Sequence, residues 1–249
     1  MSRERLIYGF HAVTSRIRQR PESVREVYVD ESRLDHRAKA LQELAAGHRI
    51  RVIALRGDRL SGMTGGAPHQ GAVAKVEMLS LATDVDDVLE SLAEPPLLLL
   101  LDGVQDPHNL GACLRVADAM GVHAVIAPKD RAVGLTASAL KVASGAAETV
   151  PYITVTNLAR AMRDLRERNV WLIGADQDAS SELPQTKLDG AIGLVLGAEG
   201  TGLRRMTKEI CDLLVKIPMF GSVESLNVSV AAGICLYEAR RQRSARSDG

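Results

Sequence analysis

LLLLLDGVQDPHNLGACLRVADAMG, residues 97–121, decides the reading of the fold. Consecutive leucines cannot alternate between core and solvent. They predict a strand buried on both faces, the habit of parallel sheets. After a short polar turn, Leu110, Leu114, Ala117 and Met120 recur at helical spacing, and Gly121 closes the segment. Strand, turn and helix in that order open a βαβ unit.

The alternation continues toward the C-terminus. VHAVIAP (122–128), VPYITV (150–155), VWLIGAD (170–176), IGLVLG (192–197) and LLVKIPM (213–219) read as strands. TASALKVASGAA (136–147), LARAMRDLRER (158–168) and SLNVSVAAGICLYEARRQR (225–243) read as helices. Such a pattern predicts an α/β domain with a mostly parallel sheet covered on both faces.

Toward the N-terminus the pattern is smaller. EVYVD (26–30), IRVIAL (50–55) and GAVAKVEM (71–78) read as short strands. Between the first two, Leu34, Ala38, Leu41 and Leu44/Ala45 fall at helical spacing, with Gly47 as the expected C′ residue. The acidic stretch 79–96 ends in Pro95-Pro96, which cannot continue a helix, and DVDDVLESLA inside it offers a turn or two of helix. The expected organisation is a small α/β unit over 1–78, a linker over 79–96 and a larger domain over 97–249.

The chain has 249 residues, 46% hydrophobic and 25% charged, the balance of a globular protein able to bury a sizeable core. Its longest apolar run is too short to span a bilayer, and its start lacks the apolar region of a secretory signal. Cys113, Cys211 and Cys235 are odd in number and widely spaced, with no CxxC pair, so neither a disulfide framework nor a metal site is expected. A reducing cytoplasm is the default for such thiols. Charge balances overall, but residues 1–75 carry 14 Lys/Arg against 8 Asp/Glu, while 76–100 carry 6 acids and no base. A basic N-terminal third suits a polyanion or a merely solvated surface. Aromatics are only 3%, so an RNA partner would be held by phosphate contacts and shape more than by stacking.

Ligands of α/β sheets bind beyond the carboxyl ends of the strands. Three strand ends stand out. The first runs from Asp102 through Asp106-Pro107-His108-Asn109 to Arg115. The second, LVLGAEGTGLRR (194–205), has closely spaced glycines around Glu199. It has neither dinucleotide-fingerprint nor phosphate-loop spacing, and Glu199 would repel phosphate. The third leads from Pro218 through a glycine loop to Ser225-Leu226-Asn227. Taken singly, each has a plainer reading: a turn with a helix cap and a salt-bridged arginine, a tight strand-to-helix turn, and a second cap.

Together the three resemble, in order and in detail, the signature motifs of the SpoU (TrmH) branch of the SPOUT methyltransferases, from about residue 97 onward. GFHAV (9–13) and HQG (69–71) resemble the ribosomal-protein-like RNA-binding domain of the subgroup that modifies large-subunit rRNA. The resemblance implies a trefoil-knotted C-terminal methyltransferase domain, S-adenosyl-L-methionine as cofactor, and no metal or membrane. It implies 23S rRNA as partner, methylated on a guanosine ribose 2′-hydroxyl, and a homodimer paired through the knots, each active site drawing on both chains. It places the cofactor against Leu196, Gly197, Ile217, Met219, Leu226 and Asn227. It makes Arg115, Asn109 and Glu199 the catalytic set, with Arg115 at the target ribose and Ser229 near RNA phosphate. A guanidinium stays charged, so Arg115 is expected to stabilise developing negative charge while Glu199, water or a phosphate takes the proton. The rivals are a tRNA-modifying relative, a knot protein that only binds the ribosome, and an unrelated nucleotide-binding α/β enzyme.

Overall fold

A computed structural model of the chain describes residues 4–77 and 83–247. The chain divides into two compact units, 1–80 and 81–249. Met78 of the expected third strand, and 79–82 of the expected linker, lie outside the described residues.

The first unit is built on a four-stranded sheet ordered β1-β4-β2-β3. Its strands are β1 (Glu4–Tyr8), β2 (Val24–Asp30), β3 (Arg51–Leu55) and β4 (Ala72–Glu77). β4 pairs antiparallel with β1 and β2, and β2 pairs parallel with β3. Helices α1 (Phe10–Gln19), α2 (His36–Gly47) and α3 (Gly57–Met63) complete it. Val13, Ile17, Val27, Leu41 and Ala74 share one core cluster. β1, α1 and α3 were not foreseen from sequence. In β1 only Ile7 is buried, so the strand offers no apolar run to read. Leu34 departs from expectation: it lies before α2 and is 80% exposed. The helix starts later because the Asp35 carboxylate accepts from the Ala38 N–H at 3.0 Å and caps it. Gly47 ends the helix, and the left-handed residue beyond is Arg49, with φ 58°.

The second unit carries a seven-stranded sheet, parallel throughout, ordered β7-β6-β5-β10-β8-β11-β9. The strands are β5 (Leu97–Asp102), β6 (Ala124–Pro128), β7 (Tyr152–Val155), β8 (Trp171–Ala175), β9 (Ser181–Glu182), β10 (Ile192–Gly197) and β11 (Leu213–Lys216). The helices are α4 (Val85–Glu90), α5 (Pro107–Ala119), α6 (Ala137–Ala143), α7 (Leu158–Glu167), α8 (Arg205–Ile210) and α9 (Val228–Ser247).

The leucine run divides by parity, as strand geometry requires. Leu97, Leu99 and Leu101 pack with Leu110, Leu114 and Leu236 on the face covered by α5 and α9. Leu98 and Leu100 pack with Val88, Met162 and Leu165 on the other face. α6 is shorter than its sequence suggested, because Ser144 turns left-handed with φ 52° and ends it. No helix among the described residues is long and apolar enough to cross a membrane.

Candidate active site

Strand order sets the site. β5 and β10 are neighbours in register, with Gly197 beside Asp102, so the chain leaves both strands at one place. From β5 it turns through Gly103 into α5, whose first turn is capped by the Asp106 carboxylate accepting from the His108 N–H at 2.9 Å. From β10 it enters the glycine loop and doubles back: the Gly202 N–H donates to the Ala198 carbonyl at 2.9 Å. A Cβ on Gly197 would stand 2.0 Å from the Gly202 carbonyl carbon, so the loop closes only over a glycine. Gly200 and Gly202 take φ of 81° and 64°, which favour glycine.

The loop delivers Glu199 to Asn109. The Asn109 amide donates to Glu199 Oε2 at 3.2 Å. The third segment, entering α9, adds Asn227, whose Nδ2 donates to Asn109 Oδ1 at 2.9 Å and to Glu199 Oε2 at 3.2 Å. Asn227 Oδ1 accepts from the Ser229 N–H at 2.9 Å and the Ser229 hydroxyl at 2.7 Å. Three segments far apart in sequence thus meet in one hydrogen-bonded cluster. Both amides converge on Glu199 Oε2, and Oε1 makes no hydrogen bond among the described residues. Asn109 and Glu199 line a cavity of about 390 Å³ with Asp102, Gly103 and Arg204.

Asp102, marked in the sequence only as the residue that ends the strand, also lines the site. It is buried, its Oδ2 accepts from the Arg204 N–H at 3.0 Å, and Arg204 Nε stands 3.5 Å from Oδ1. This carboxylate ties the end of the glycine loop to β5. Its only signal in sequence was a single acid ending a leucine run.

Arg115 is not brought to the cluster. Six residues past Asn109, it lies about 9 Å along the α5 axis and about a third of a turn around it. It is exposed and makes no hydrogen bond or ion pair among the described residues. On α9, which packs against α5, Val230, Ile234 and Tyr237 form a stripe at i, i+4, i+7 and are 48%, 38% and 60% exposed.

The expected cofactor residues divide. Leu196 is buried and Gly197 half-buried at the end of β10. Ile217, Met219 and Leu226 lie in the 217–227 segment, which leaves the ladder after Lys216 and reaches α9 with no regular structure. Its main-chain N–H and C=O groups are therefore free of any ladder. Met219, Phe220 and Val223 put apolar surface beside them. Free main-chain groups, an apolar surface and a carboxylate suit a flat heteroaromatic ring joined to a hydroxylated, cationic group. S-Adenosylmethionine fits that set. Burial pushes the thiols of Cys113, Cys211 and Cys235 up to about 12, which leaves no thiolate nucleophile among them.

The SpoU rRNA Methylase family matches residues 96–237, which hold all three segments of the cluster. The chain belongs to that family. The SpoU match is joined by one to an RNA 2′-O ribose methyltransferase substrate-binding domain over residues 6–82. A relative from Ralstonia nicotianae, named 23S rRNA (guanosine-2′-O-)-methyltransferase RlmB, is 58% identical and covers 98% of both chains. The protein of that name from Escherichia coli is 52% identical over 96% of this chain and 99% of its own. Among solved SpoU structures, AviRb from Streptomyces viridochromogenes in complex with the cofactor AdoMet superposes with a TM-score of 0.71 at 28% identity. That superposition covers 97% of this chain and 91% of AviRb.

Proposed function

We propose that the chain is an S-adenosylmethionine-dependent methyltransferase of the 2′-hydroxyl of a guanosine in 23S rRNA. The observation that carries this reading is the Asn109–Asn227–Glu199 cluster at the shared carboxyl ends of β5 and β10. Support for the substrate is the name borne by relatives that match the chain end to end. In this reading 1–78 is the RNA-binding unit, 97–249 is the methyltransferase and the protein works in the cytoplasm.

Leu196, Gly197, Ile217, Met219, Leu226 and Asn227 would hold the cofactor, which would supply an activated methyl group on a positively charged sulfur. The ribose 2′-oxygen would take that methyl group, the sulfur keeping the electron pair of the bond it gives up, and the 2′-hydroxyl would lose its proton. The chain's residues contribute position and charge. Asn109 and Asn227 hold Glu199 by Oε2, which leaves Oε1 to accept the proton. Arg115 stabilises negative charge growing on the 2′-oxygen.

Arg115 makes no hydrogen bond to its own subunit's cluster, and in this reading it acts on that of a second subunit. The α9 stripe and the exposed flank of α5 offer the surface for a twofold homodimer, pairing through the region the family resemblance describes as knotted. Arg115 of one subunit would then face the cluster of the other.

The test is transfer of labelled methyl from S-adenosylmethionine to unmodified 23S rRNA, with tRNA and 16S rRNA in parallel and Arg115→Ala as control. Alkali-resistant 2′-O-methylguanosine in 23S rRNA alone, absent with the variant, is expected. Label on tRNA instead would overturn the substrate, and no label on any RNA would overturn the reaction.

A further inference from the structure

In the first unit, two sets of cationic side chains stand in contrast. On the sheet, three are neutralised at home. Lys75 Nζ lies 2.7 Å from Glu4, Arg51 Nη1 lies 3.5 Å from Glu26, and Arg25 pairs with Glu77. On α1 and α2, Arg18 and Arg37 are not. Arg18 and His11 of α1 and His36 and Arg37 of α2 line one groove of about 410 Å³, and no acid lines it with them. All four are exposed, and none of these side chains has a hydrogen bond or ion pair among the described residues.

We propose that this α1–α2 groove is where the substrate RNA's phosphate backbone is held. The inference rests on the reading that the chain acts on RNA. A cation already paired with a carboxylate gains little from a phosphate, because it must first give up its partner. An unpaired cation releases counterions from the nucleic acid at no such loss. The sheet therefore presents charge that is spent, and the groove presents charge that is available. Its floor also argues for backbone over bases. Phe10 is buried and the Arg33 guanidinium already sits 5.7 Å from its ring centroid, so that ring is not free to stack on a base. The remaining donors are guanidinium and imidazole N–H groups, which suit phosphate oxygens. The groove is thus a positioning surface, which fixes where the RNA lies without reading its sequence.

The experiment uses the full chain and transcribed 23S rRNA. Arg18→Gln/Arg37→Gln removes groove charge, and Arg25→Gln/Arg51→Gln removes the same charge from the sheet. The exposed, unpartnered groove side chains predict unchanged thermal stability for the first pair. Its Kd for RNA should rise about tenfold, and the salt slope of log Kd should fall by roughly 1.5 for two lost phosphate contacts. Its KM for RNA should rise with kcat and S-adenosylmethionine affinity unchanged. The sheet pair should stay within about twofold of wild type on RNA, and Arg18→Lys/Arg37→Lys within about threefold. Equal losses in the groove and sheet pairs would mean general attraction and overturn the groove. So would unchanged affinity, or weaker binding with an unchanged salt slope, which points to a protein partner or a non-phosphate contact. Wild-type activity beside any of these outcomes leaves the functional reading standing. A wild-type chain that binds cofactor yet neither binds nor methylates the RNA overturns that reading and the groove's occupant with it.

Discussion

Asn227 donates a hydrogen bond of 2.9 Å to the side-chain oxygen of Asn109, across 118 residues of sequence. The same Nδ2 reaches Glu199 Oε2 at 3.2 Å, so one amide group ties the start of α9 to α5 and to the glycine loop. Its own oxygen accepts from Ser229, which fixes which way the amide faces. Replacing that nitrogen by oxygen is the sharpest perturbation available. Asn227→Asp sets a second carboxylate against Glu199 and removes both donated bonds. Methyl transfer should fall about 100-fold, with a lower Tm. Adding Glu199→Gln restores a donor between the two side chains and should recover Tm. It should not recover transfer if Glu199 accepts the proton. Recovery of both would assign Glu199 a purely structural part, and the double-mutant cycle measures that coupling.

Arg115 and the cluster make a second prediction, about subunits. Arg115→Ala should leave Tm unchanged, because the side chain is exposed and unpartnered, and should lower transfer by about 10²–10³. Arg115→Lys asks whether charge suffices or the guanidinium fork is needed. Mixed dimers ask where the arginine acts. An Arg115→Ala chain refolded with an Asn109→Ala chain yields heterodimers in which one site carries both lesions and the other none. Activity should then reappear from two nearly inactive parents. Mixtures as inactive as the parents would place Arg115 and Asn109 in the same subunit's site.

Much of this arrangement was legible in the chain, and the misses have physical causes. The leucine run announced burial on both faces, and parity then assigned each leucine to its side. Asn109, Glu199 and Asn227 were named because their three segments together resemble the SpoU motifs; taken singly, each read as a cap or a tight turn. Asp102 was marked as a strand end but given no role, since an acid there is common and its partner, the Arg204 N–H, is 102 residues away. Leu34 was misread because apolar spacing outweighed the Asp35 cap that starts α2 beyond it. Arg115 could be named from sequence, but its separation from Asn109 depends on the helix carrying it past the cluster.

The glycine loop supports a third prediction. A methyl group at position 197 would collide with the backbone of Gly202 and Leu203, which cannot yield as a flexible side chain could. Gly197→Ala should therefore open the 198–202 loop and displace Glu199. Stability should fall by about 1–3 kcal/mol, and S-adenosylmethionine binding, followed by calorimetry, should weaken as well. Gly190→Ala is the control, because nothing lies within 4 Å of a Cβ there. Equal behaviour of the two variants would remove loop closure from the account.

His123 gives the second unit a pH dependence whose sign can be worked out. Its Nδ1 accepts from the Leu97 N–H at 2.9 Å, where β5 begins, and its Nε2 stands 2.9 Å from Glu94 Oε1. The backbone donor fixes the tautomer: the ring proton is on Nε2 and is donated to Glu94. Burial holds the imidazole pKa below its ordinary 6.5, against the opposing pull of the Glu94 carboxylate. A second proton would have to sit on Nδ1, facing a backbone N–H, and would remove that acceptor. The unfolded chain takes up this proton first as pH falls. The contribution of His123 is therefore complete above 6.5 and is lost as pH drops from there through the lower folded-state value. Glu94, held below its ordinary 4.5 chiefly by the hydrogen bond from His123, loses its share only at more acid pH. Tm should accordingly decline between about pH 7.5 and pH 5.5. His123→Asn keeps an acceptor where Nδ1 stood but cannot be charged. Its Tm should change less over that interval, and parallel wild-type and variant curves would show that His123 is not the titrating group.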